Sequence, residues 1–452
     1  MIDIVTNGEI NFKLIKELTD LFEQDINEDV QVNIDTENMV ITLGKLTQPI
    51  LGTTNAEIKL SIYKLLLEYT SSPKPWGTLT GVKPVKRVIT LLEDNLSHDK
   101  AYKVMKDKYM LSDSRFELAY NCAINQQKLL YVDKSTASLY IHIPLCVSKC
   151  SYCSFPSTIT TVGSELCDSY LDSLLIELDE LHKLNLGFTY DTVYIGGGTP
   201  SILSTSQLEK LLLKVVDYAP NLEEYSVEAG RADTLDFAKL KLLKDMGVTR
   251  LSLNPQTSNN ATLKALNRTH TYSDFLKSFN TAREIGFNNI NCDLILGLAQ
   301  EGLKDFDNSI HSILQLEPEN ITIHSLCKKR TSELSIKEVI TSEIDISEYM
   351  TGAIKLLESK GYYPYYMYKQ KNAKSYGENI GFSKKGYECI YNIRMMGDSQ
   401  SIISAGANST TKFYFKDENR FETIHNVKEL RIYNSEIDRV IEKKIKLINK
   451  TI

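Results

Sequence analysis

The sequence predicts an α/β protein built around an open barrel of six strand–helix units, a (β/α)6 partial TIM barrel, with an N-terminal α+β domain and a C-terminal extension. Three observations predict this architecture. The chain has 452 residues, enough for two or three domains at about 100–200 residues each. From about residue 138, apolar runs alternate with helical patterns, which indicates a parallel sheet. Before that point the pattern differs, since short stretches of alternating polar and apolar residues are followed by charged helical patterns.

Composition and charge narrow the class of protein. Hydrophobic residues make up 42% of the chain and charged residues 24%, which excludes a disordered or fibrous chain. The net charge of −6 predicts that the protein binds no nucleic acid. The chain has no uninterrupted apolar run of the length, about 18 residues, that a membrane span needs. The first residues lack the basic region and apolar run of a signal peptide. We therefore expect a cytoplasmic protein.

The N-terminal domain is predicted to span residues 1–135. Polar and apolar residues alternate in Val30-Gln-Val-Asn-Ile34 and in Met39-Val-Ile-Thr-Leu43, as in half-buried strands. Apolar residues recur at helical spacing over 56–69, and charged amphipathic patterns follow over 85–130. This mixture of short strands and helices is typical of a separate α+β domain.

The barrel is predicted to span residues 136–330. Its strand candidates are 139–143, 192–195, 224–229, 249–253, 289–296 and 320–324. The helical patterns between them include 166–184, 206–218, 234–246 and 272–285. Six such units fit an open barrel better than a closed eightfold one. Functional residues of such barrels lie at the C-terminal ends of the strands.

The C-terminal region, residues 331–452, is expected to be less regular and to cover the substrate. It contains the tyrosine-rich segment Gly361-Tyr-Tyr-Pro-Tyr-Tyr-Met-Tyr368. One interpretation is a half-buried strand. The other is a ligand-binding face, with the cations Lys369, Lys371 and Arg330 available to the ligand.

Three of the eight cysteines fall within Cys146-Val-Ser-Lys-Cys150-Ser-Tyr-Cys153, directly after the first barrel strand. A zinc site would need a fourth nearby ligand, and His142 is placed inside the strand, so zinc fits poorly. Three thiolates fit a [4Fe-4S] cluster that keeps one iron open for a small-molecule ligand. The alternative is a chance group of buried thiols. We expect Cys146, Cys150 and Cys153 to be the metal ligands and the centre of catalysis.

Further polar and glycine residues follow the later strands. Gly196-Gly-Gly-Thr-Pro200 comes after the second strand candidate, where bare backbone N–H groups can approach a ligand. On its own this is a common turn between a strand and a helix. Glu228, Gln256 and Asp293 are expected at the ends of later strands, with Arg268 in a loop. Taken singly, each is more typical of a surface or capping group.

Together these motifs resemble the radical S-adenosylmethionine (SAM) superfamily, whose hallmark is C-x3-C-x2-C with an aromatic residue before the last cysteine, here Tyr152. The resemblance implies that SAM chelates the open iron of the cluster. It also implies that one electron from the cluster cleaves SAM to a 5′-deoxyadenosyl radical, which abstracts hydrogen. An electron donor such as flavodoxin or ferredoxin would then be a partner.

Within that superfamily the sequence is similar to the coproporphyrinogen subgroup. The segments that carry this similarity are Ser226-Val-Glu-Ala, Leu253-Asn-Pro-Gln, Leu266-Asn-Arg and Asp293-Leu-Ile-Leu-Gly-Leu. The resemblance implies one or two SAM sites. It implies that they are lined by Tyr140, Tyr152, Gly197, Gly198, Thr199, Glu228, Gln256, Arg268, Asp293 and, as a weaker match, Cys327.

Segments at both ends of the barrel look like the HemZ-type coproporphyrinogen dehydrogenases. They are Trp76-Gly-Thr-Leu-Thr-Gly-Val-Lys-Pro84, Glu228-Ala-Gly-Arg231, His324-Ser-Leu-Cys-Lys-Lys-Arg330 and Tyr362-Tyr-Pro-Tyr-Tyr-Met-Tyr-Lys-Gln-Lys-Asn372. The resemblance implies anaerobic decarboxylation of coproporphyrinogen III to protoporphyrinogen IX in haem biosynthesis. It also implies that the ligand of the tyrosine-rich face is a tetrapyrrole, whose propionates Lys369, Lys371 and Arg330 would bind. The sequence departs from the best-understood branch, since Phe155 replaces a further cysteine and a tyrosine-rich N-terminal arm is missing.

Two other functions remain open on the same scaffold. One is a haem-trafficking protein, but such relatives carry a His-Asn-x-x-Tyr-Trp motif, and the only tryptophan here is Trp76. The other is a radical SAM methyltransferase that acts on haem, which the fold alone does not distinguish.

Overall fold

The structure, a computed structural model, forms two compact units. It describes residues 2–81, 83–130, 132–133, 135–298, 301–326, 346–369, 377–418 and 420–451. The first unit comprises Met1–Asn125, Asp345–Lys355 and Met367–Asn379. The second comprises Gln126–Ile344, Leu356–Tyr366 and Ile380–Ile452. The division into three consecutive domains stays a prediction.

The N-terminal part of the chain folds into a four-stranded sheet and five helices. The strands are β1 (Ile2–Thr6), β2 (Val30–Asp35), β3 (Val40–Leu43) and β4 (Leu46–Pro49), in the order β1-β2-β3-β4. The helices are α1 (Phe12–Thr19), α2 (Asn55–Thr70), α3 (Val85–Glu93), α4 (His98–Tyr109) and α5 (Asp113–Leu130). Strand β1 runs parallel to β2, whereas the pairs β2–β3 and β3–β4 are antiparallel. The predicted α+β composition of this part is confirmed, and β1 is an addition to it.

The barrel strands of the second unit occur where the sequence predicts them. In chain order the strands of this part are β5 (Thr136–Ile143), β6 (Leu145–Cys146), β7 (Thr158–Ile159), β8 (Thr189–Gly197), β9 (Glu224–Glu228), β10 (Arg250–Ser252), β11 (Ile290–Leu296) and β12 (Asn320–Ser325). Strands β5, β8, β9, β10, β11 and β12 pair in parallel in that order. Strands β6 and β7 form a separate small pair. The open (β/α)6 barrel is confirmed.

Helices cross over between the barrel strands. They are α6 (Glu165–Lys183), α7 (Thr205–Tyr218), α8 (Phe237–Asp245), α9 (Asn260–Ala265), α10 (Tyr272–Ile285) and α11 (Leu303–Leu314). Short 3-10 turns occur at Asp20–Phe22, Pro200–Ile202, Ala232–Thr234 and Lys416–Glu418. The strands between the helices are nearly continuously buried, as in β9, where the first four residues are all buried. Burial on both faces explains why apolar runs predicted these strands.

The C-terminal region is more regular than the sequence suggested, so that expectation was wrong. It contains α12 (Ile346–Ser359), β13 (Tyr363–Lys369), β14 (Glu378–Ser383), α13 (Ile390–Gly397), β15 (Ser401–Ala405), β16 (Thr410–Phe415), β17 (Arg420–His425), α14 (Leu430–Ser435) and α15 (Ile437–Thr451). These strands extend the barrel sheet to eleven, in the order β13-β14-β12-β11-β10-β9-β8-β5-β15-β16-β17. Strand β15 pairs with β5, which lies far earlier in the chain, and such distant pairing gives no local signal in the sequence.

The tyrosine-rich segment forms a strand, as its first interpretation expected. Tyr365 and Tyr366 are buried in β13, whereas Tyr363 is exposed. Lys369 donates a hydrogen bond from Nζ to the carbonyl oxygen of Leu79 at 2.5 Å. The other two cations suggested for propionates, Lys371 and Arg330, lie outside the described residues.

A helix that crosses a membrane needs about 20 predominantly apolar residues. Among the described residues, no helix is both long and apolar enough to cross a bilayer.

Candidate functional site

The three clustered cysteines lie on the loop that follows β5. Cys146 belongs to β6, and Cys150 and Cys153 follow in a turn in which the Cys153 N–H donates to the Cys150 carbonyl at 2.9 Å. All three thiols are free of disulfides. Within the described ranges, no three His, Cys, Asp or Glu side chains converge as ligands of a single metal ion.

Two buried arginines lie against the middle cysteine. Arg268 points Nη1 toward the Cys150 sulfur at 3.9 Å, and Arg231 points its own Nη1 toward the same sulfur at 3.7 Å. Arg268 also donates to the Tyr152 hydroxyl at 3.1 Å. Two guanidinium groups thus point a donor nitrogen at the same sulfur. The sequence analysis names Arg268 as a SAM contact. Arg231 occurs there only at the end of the HemZ-like segment Glu228-Ala-Gly-Arg231.

The Arg268 guanidinium is held by the backbone of two barrel loops. Its Nη2 donates to the carbonyl oxygens of Gly230 at 2.9 Å and Asn254 at 2.7 Å. Those loops follow β9 and β10, so the contacts join consecutive C-terminal strand ends. Arg268 itself lies between β10 and β11, after the fourth barrel strand as the sequence predicts, and the fold brings it beside the cysteine loop.

The glycine turn after β8 presents bare backbone to the first cysteine. The Gly198 N–H donates to the Ile143 carbonyl at 2.8 Å. A Cβ atom at Gly198 would lie 2.6 Å from the Leu145 carbonyl oxygen and 2.8 Å from the Cys146 sulfur. Thr199 donates from Oγ1 to the same sulfur at 3.4 Å. Only glycine fits at position 198 without displacing the cysteine.

Glu228 lies at the end of β9 and faces the glycine turn. Its carboxylate accepts hydrogen bonds from the Tyr194 hydroxyl at 2.7 Å and the Gly197 N–H at 3.1 Å. Burial raises the pKa of Glu228 to about 7, and the nearby Asp293 charge adds to this rise. The two hydrogen bonds oppose the rise because they favour the ionised form.

Asp293 lies in the middle of β11, so its predicted place at a strand end was wrong. Asp293 lies inside its strand because β11 continues past the end of the neighbouring strand β10. Ser252, the last residue of β10, pairs with Asn291, which leaves Asp293 beyond the end of β10. Burial alone would raise the pKa of Asp293, but interactions with His324, at 3.6 Å, and with Asn291 lower it overall. Asp293 therefore stays ionised.

Gln256 has a strained backbone and an unpaired side-chain oxygen. Its φ of +68° is unusual for a residue other than glycine, and such strain is concentrated at functional sites. Its N–H donates to the Asp293 carbonyl at 2.9 Å, which locks the loop onto β11. In the described part of the chain, Gln256 Oε1 and Asn254 Oδ1 are buried without a hydrogen-bond partner. Buried acceptors of this kind are available to a ligand.

Tyr140 is packed in a group of aromatic rings that sequence reasoning did not foresee. Its ring stacks on Tyr391 at 6.0 Å between centroids, and Tyr391 stacks on Tyr194 at 4.6 Å. Tyr194 in turn donates to Glu228. Tyr391 belongs to α13, about 250 residues along the chain from Tyr140, and no local pattern signals that contact.

The remaining cysteines are placed away from this loop or outside the described residues. Cys167, Cys292 and Cys389 are buried in α6, in β11 and next to α13. The Cys389 thiol interacts with Glu224 at 3.4 Å, not with the clustered cysteines. Cys327, the weakest of the predicted SAM contacts, lies outside the described residues.

Comparison with known proteins identifies the family of this chain. The family model of the radical SAM superfamily matches residues 140–313. The oxygen-independent coproporphyrinogen-III oxidase-like protein HemZ of Bacillus subtilis (strain 168) is 34% identical over 401 residues, covering 85% of this chain and 79% of HemZ. The chain belongs to the radical SAM superfamily. Within it, the chain belongs to the oxygen-independent coproporphyrinogen-III oxidase family of the HemZ type.

Other members of the superfamily match more narrowly. The heme chaperone HemW of Bacillus subtilis (strain 168) is 40% identical over 192 residues, covering 42% of this chain and 50% of HemW. Among solved structures, coproporphyrinogen III oxidase (HemN) from Escherichia coli matches with a TM-score of 0.56 and 22% identity. That match covers 71% of this chain and 73% of HemN, and it supports the fold.

Membership of the radical SAM superfamily implies a [4Fe-4S] cluster and SAM, and the residues present fit both groups. Three cysteines that form no disulfide lie on one short loop and can provide thiolates to a cluster. The missing Cβ of Gly198 leaves the Cys146 sulfur unobstructed. The unpaired oxygens of Gln256 and Asn254 and the carboxylates of Glu228 and Asp293 provide acceptors for a polar ligand such as SAM.

Proposed function

We propose that Cys146, Cys150 and Cys153 hold the cluster, with one iron left to SAM. Each type of side chain among the predicted SAM contacts suits a different group of SAM. Carboxylates of Glu228 and Asp293 suit the ribose hydroxyls, and the Arg268 guanidinium suits the SAM carboxylate. The backbone amides of the glycine turn suit polar groups of the same ligand. The remaining proposed contacts are Tyr140, Tyr152, Gly197, Gly198, Thr199, Gln256 and, outside the described residues, Cys327.

The reaction that we propose is the anaerobic decarboxylation of coproporphyrinogen III to protoporphyrinogen IX. When bound, the cluster and SAM supply a carbon-centred radical that removes a hydrogen atom from the β-carbon of a propionate. The propionate then loses carbon dioxide and one electron, which leaves a vinyl group. Two propionates react in this way, and an external acceptor takes the electron from each.

The protein's own residues bind, orient and shield the reactants. Arg268 is fixed by two backbone carbonyls, so it presents its remaining N–H groups in one geometry. Glu228 is oriented by Tyr194 and the Gly197 N–H, which fixes the direction in which it accepts further hydrogen bonds. Burial of these groups keeps water away from a reactive intermediate.

One observation carries the choice of substrate. The match to HemZ covers 85% of this chain and therefore extends well beyond the barrel, whereas the matches to the heme chaperones HemW of Bacillus subtilis and Lactococcus lactis cover 42% and 60%. A function that needs the regions outside the barrel is therefore more closely matched by HemZ than by HemW. The higher identity to HemW within its segment, 40%, keeps haem trafficking as a second candidate. A haem methyltransferase is a third, without support from these relatives.

Product analysis separates the first two candidates. The reconstituted full-length protein would be incubated without oxygen with coproporphyrinogen III, SAM and a reductant. We expect a porphyrinogen lighter by two formic-acid equivalents. Stoichiometric haem binding, together with unchanged coproporphyrinogen despite SAM cleavage, would instead support the chaperone function.

The regions outside the barrel have proposed roles of their own. We assign residues 331–452 to covering the tetrapyrrole substrate and residues 1–135 to an accessory domain. The electron donor would be a small redox protein such as flavodoxin or ferredoxin.

The raised pKa of Glu228 predicts a pH dependence of SAM binding. With a pKa of about 7, Glu228 is ionised in about a tenth of the molecules at pH 6 and in about nine tenths at pH 8. An ionised carboxylate accepts hydrogen bonds from ribose more strongly than the neutral acid. We expect SAM affinity, measured by anaerobic calorimetry, to rise severalfold between pH 6 and 8.

The matched control for this dependence is Glu228→Gln, which keeps the side-chain shape and cannot ionise. Its SAM affinity should be weaker at pH 8 and flat across the same range. A wild-type affinity that falls or stays constant as the pH rises would contradict the role of Glu228.

A further inference from the structure

Arg231 is a buried cation beside the cysteine loop that the proposed SAM contacts leave unused. It follows β9 by three residues and is 4% exposed. Its Nη1 lies 3.7 Å from the Cys150 sulfur and donates to the Ser148 hydroxyl at 2.9 Å. One guanidinium nitrogen thus contacts two residues of the loop that carries the cysteines.

The other edge of the Arg231 guanidinium is anchored away from the sulfur. Nε donates to Asp233 Oδ1 at 3.0 Å, and Nη2 donates to Asp233 Oδ2 at 2.7 Å. Nη2 also donates to the Thr269 hydroxyl at 3.0 Å. This two-point contact with one carboxylate fixes the plane of the guanidinium and aims Nη1 at Cys150.

The contacts of Arg231 occupy all three of its nitrogens. Nε donates to Asp233, and Nη2 donates to Asp233 and Thr269. Nη1 contacts Ser148 and Cys150. Arg268 also approaches the Cys150 sulfur, but it contacts the Tyr152 hydroxyl as well and lies among the proposed SAM contacts. The hydrogen bonds of Arg231, in contrast, go to none of the described residues that we propose as SAM contacts.

A hydrogen bond to a ligating sulfur changes how easily an iron–sulfur cluster accepts an electron. Reduction adds negative charge, and part of it resides on the sulfurs. A donor aimed at the sulfur stabilises that charge more in the reduced state than in the oxidised state. Since Asp233 binds the opposite edge of the guanidinium, the N–H groups at Nη1 stay directed at the sulfur.

We propose that Arg231 is a positioning residue that fixes Cys150 and raises the reduction potential of the cluster. The inference rests on the proposed ligation of the cluster by Cys146, Cys150 and Cys153. It does not depend on the identity of the substrate.

The test compares Arg231→Gln and Arg231→Lys with the wild type and with a control, Arg283→Gln. Arg283 is also paired with a carboxylate, Glu319 at 2.9 Å, but it lies at the end of α10, and its hydrogen bonds go to Phe287, Glu317 and Glu319 and not to the cysteine loop. The first measurement is the midpoint potential of the reconstituted cluster, from a redox titration followed by electron paramagnetic resonance, without SAM or substrate. The second is hydrogen exchange of residues 147–153 in the cluster-free protein.

Loss of the donor should make the cluster harder to reduce. We expect a more negative midpoint for Arg231→Gln, an intermediate one for Arg231→Lys, and the wild-type value for Arg283→Gln. Exchange in the cysteine loop should be faster in both Arg231 variants, because the Ser148 contact is weakened. Lysine keeps a charge beside Asp233, so Arg231→Lys serves as the test if the glutamine variant does not fold.

A wild-type midpoint in an Arg231 variant that holds its full iron would overturn the proposal and leave the cluster assignment intact. If the wild-type chain takes up no cluster, the assignment of the ligands fails and the role of Arg231 falls with it. If the potential shifts but coproporphyrinogen III is not consumed, the role of Arg231 stands and only the proposed substrate is wrong.

Discussion

Replacing Cys150 with alanine should abolish the brown colour of the reconstituted protein and its cleavage of SAM. Cys150 is the central cysteine of the loop and the one that both guanidinium groups approach. Without its thiolate, two ligands remain for a cluster that takes three from this motif. We expect iron per chain to fall from about four toward background, with no detectable 5′-deoxyadenosine.

Cys167→Ala provides the matched control for this prediction. Cys167 is also a buried free cysteine, but it lies on α6 and its sulfur interacts with Ser164. Its removal should cost about 1 kcal/mol of stability and leave the visible spectrum unchanged. A Cys150→Ala protein with a normal four-iron spectrum would refute the ligand assignment.

Replacing Glu177 with alanine should destabilise the second unit severely. Glu177 is fully buried on α6, and its carboxylate accepts four hydrogen bonds from the C-terminal part of the chain. Oε1 accepts from Asn426 and Lys444, and Oε2 accepts from the Gly406 N–H and the Tyr433 hydroxyl. The substitution leaves the buried Lys444 ammonium without its partner at 2.7 Å. We expect a loss of about 3–5 kcal/mol in the free energy of unfolding.

The control on the same helix is Glu180→Ala. Glu180 is 39% exposed and pairs with Lys183 at the surface, so its loss should cost less than about 1 kcal/mol. Urea unfolding followed by circular dichroism measures both variants. Equal stability of the two variants would contradict the structural role of Glu177.

The barrel and most of its site could be predicted because they follow from local patterns. The parallel strands are buried on both faces and appear as apolar runs. The cysteine motif lies on one short loop, and Glu228 ends its strand as expected. Asp293 was misplaced because the relative lengths of β10 and β11 depend on pairing, which the sequence does not encode locally.

What escaped prediction depends on contacts between distant segments. Tyr391 stacks on Tyr140 and Tyr194 from the C-terminal region. Glu177 resembles a surface residue in a charged helix, and only the fold brings its four donors together. The sequence does not single out Arg231, because Arg231 and the Cys150 sulfur that it contacts are 81 residues apart along the chain. Pairwise contacts at such separation leave no periodic trace in a single sequence.

The central claim is that a propionate β-carbon of coproporphyrinogen III loses hydrogen to a radical derived from SAM. Deuterium at those β-carbons tests it most directly. After anaerobic incubation with SAM and a reductant, the account predicts 5′-deoxyadenosine heavier by one mass unit, formed together with divinyl product. Unlabelled 5′-deoxyadenosine beside intact deuterated substrate would contradict it.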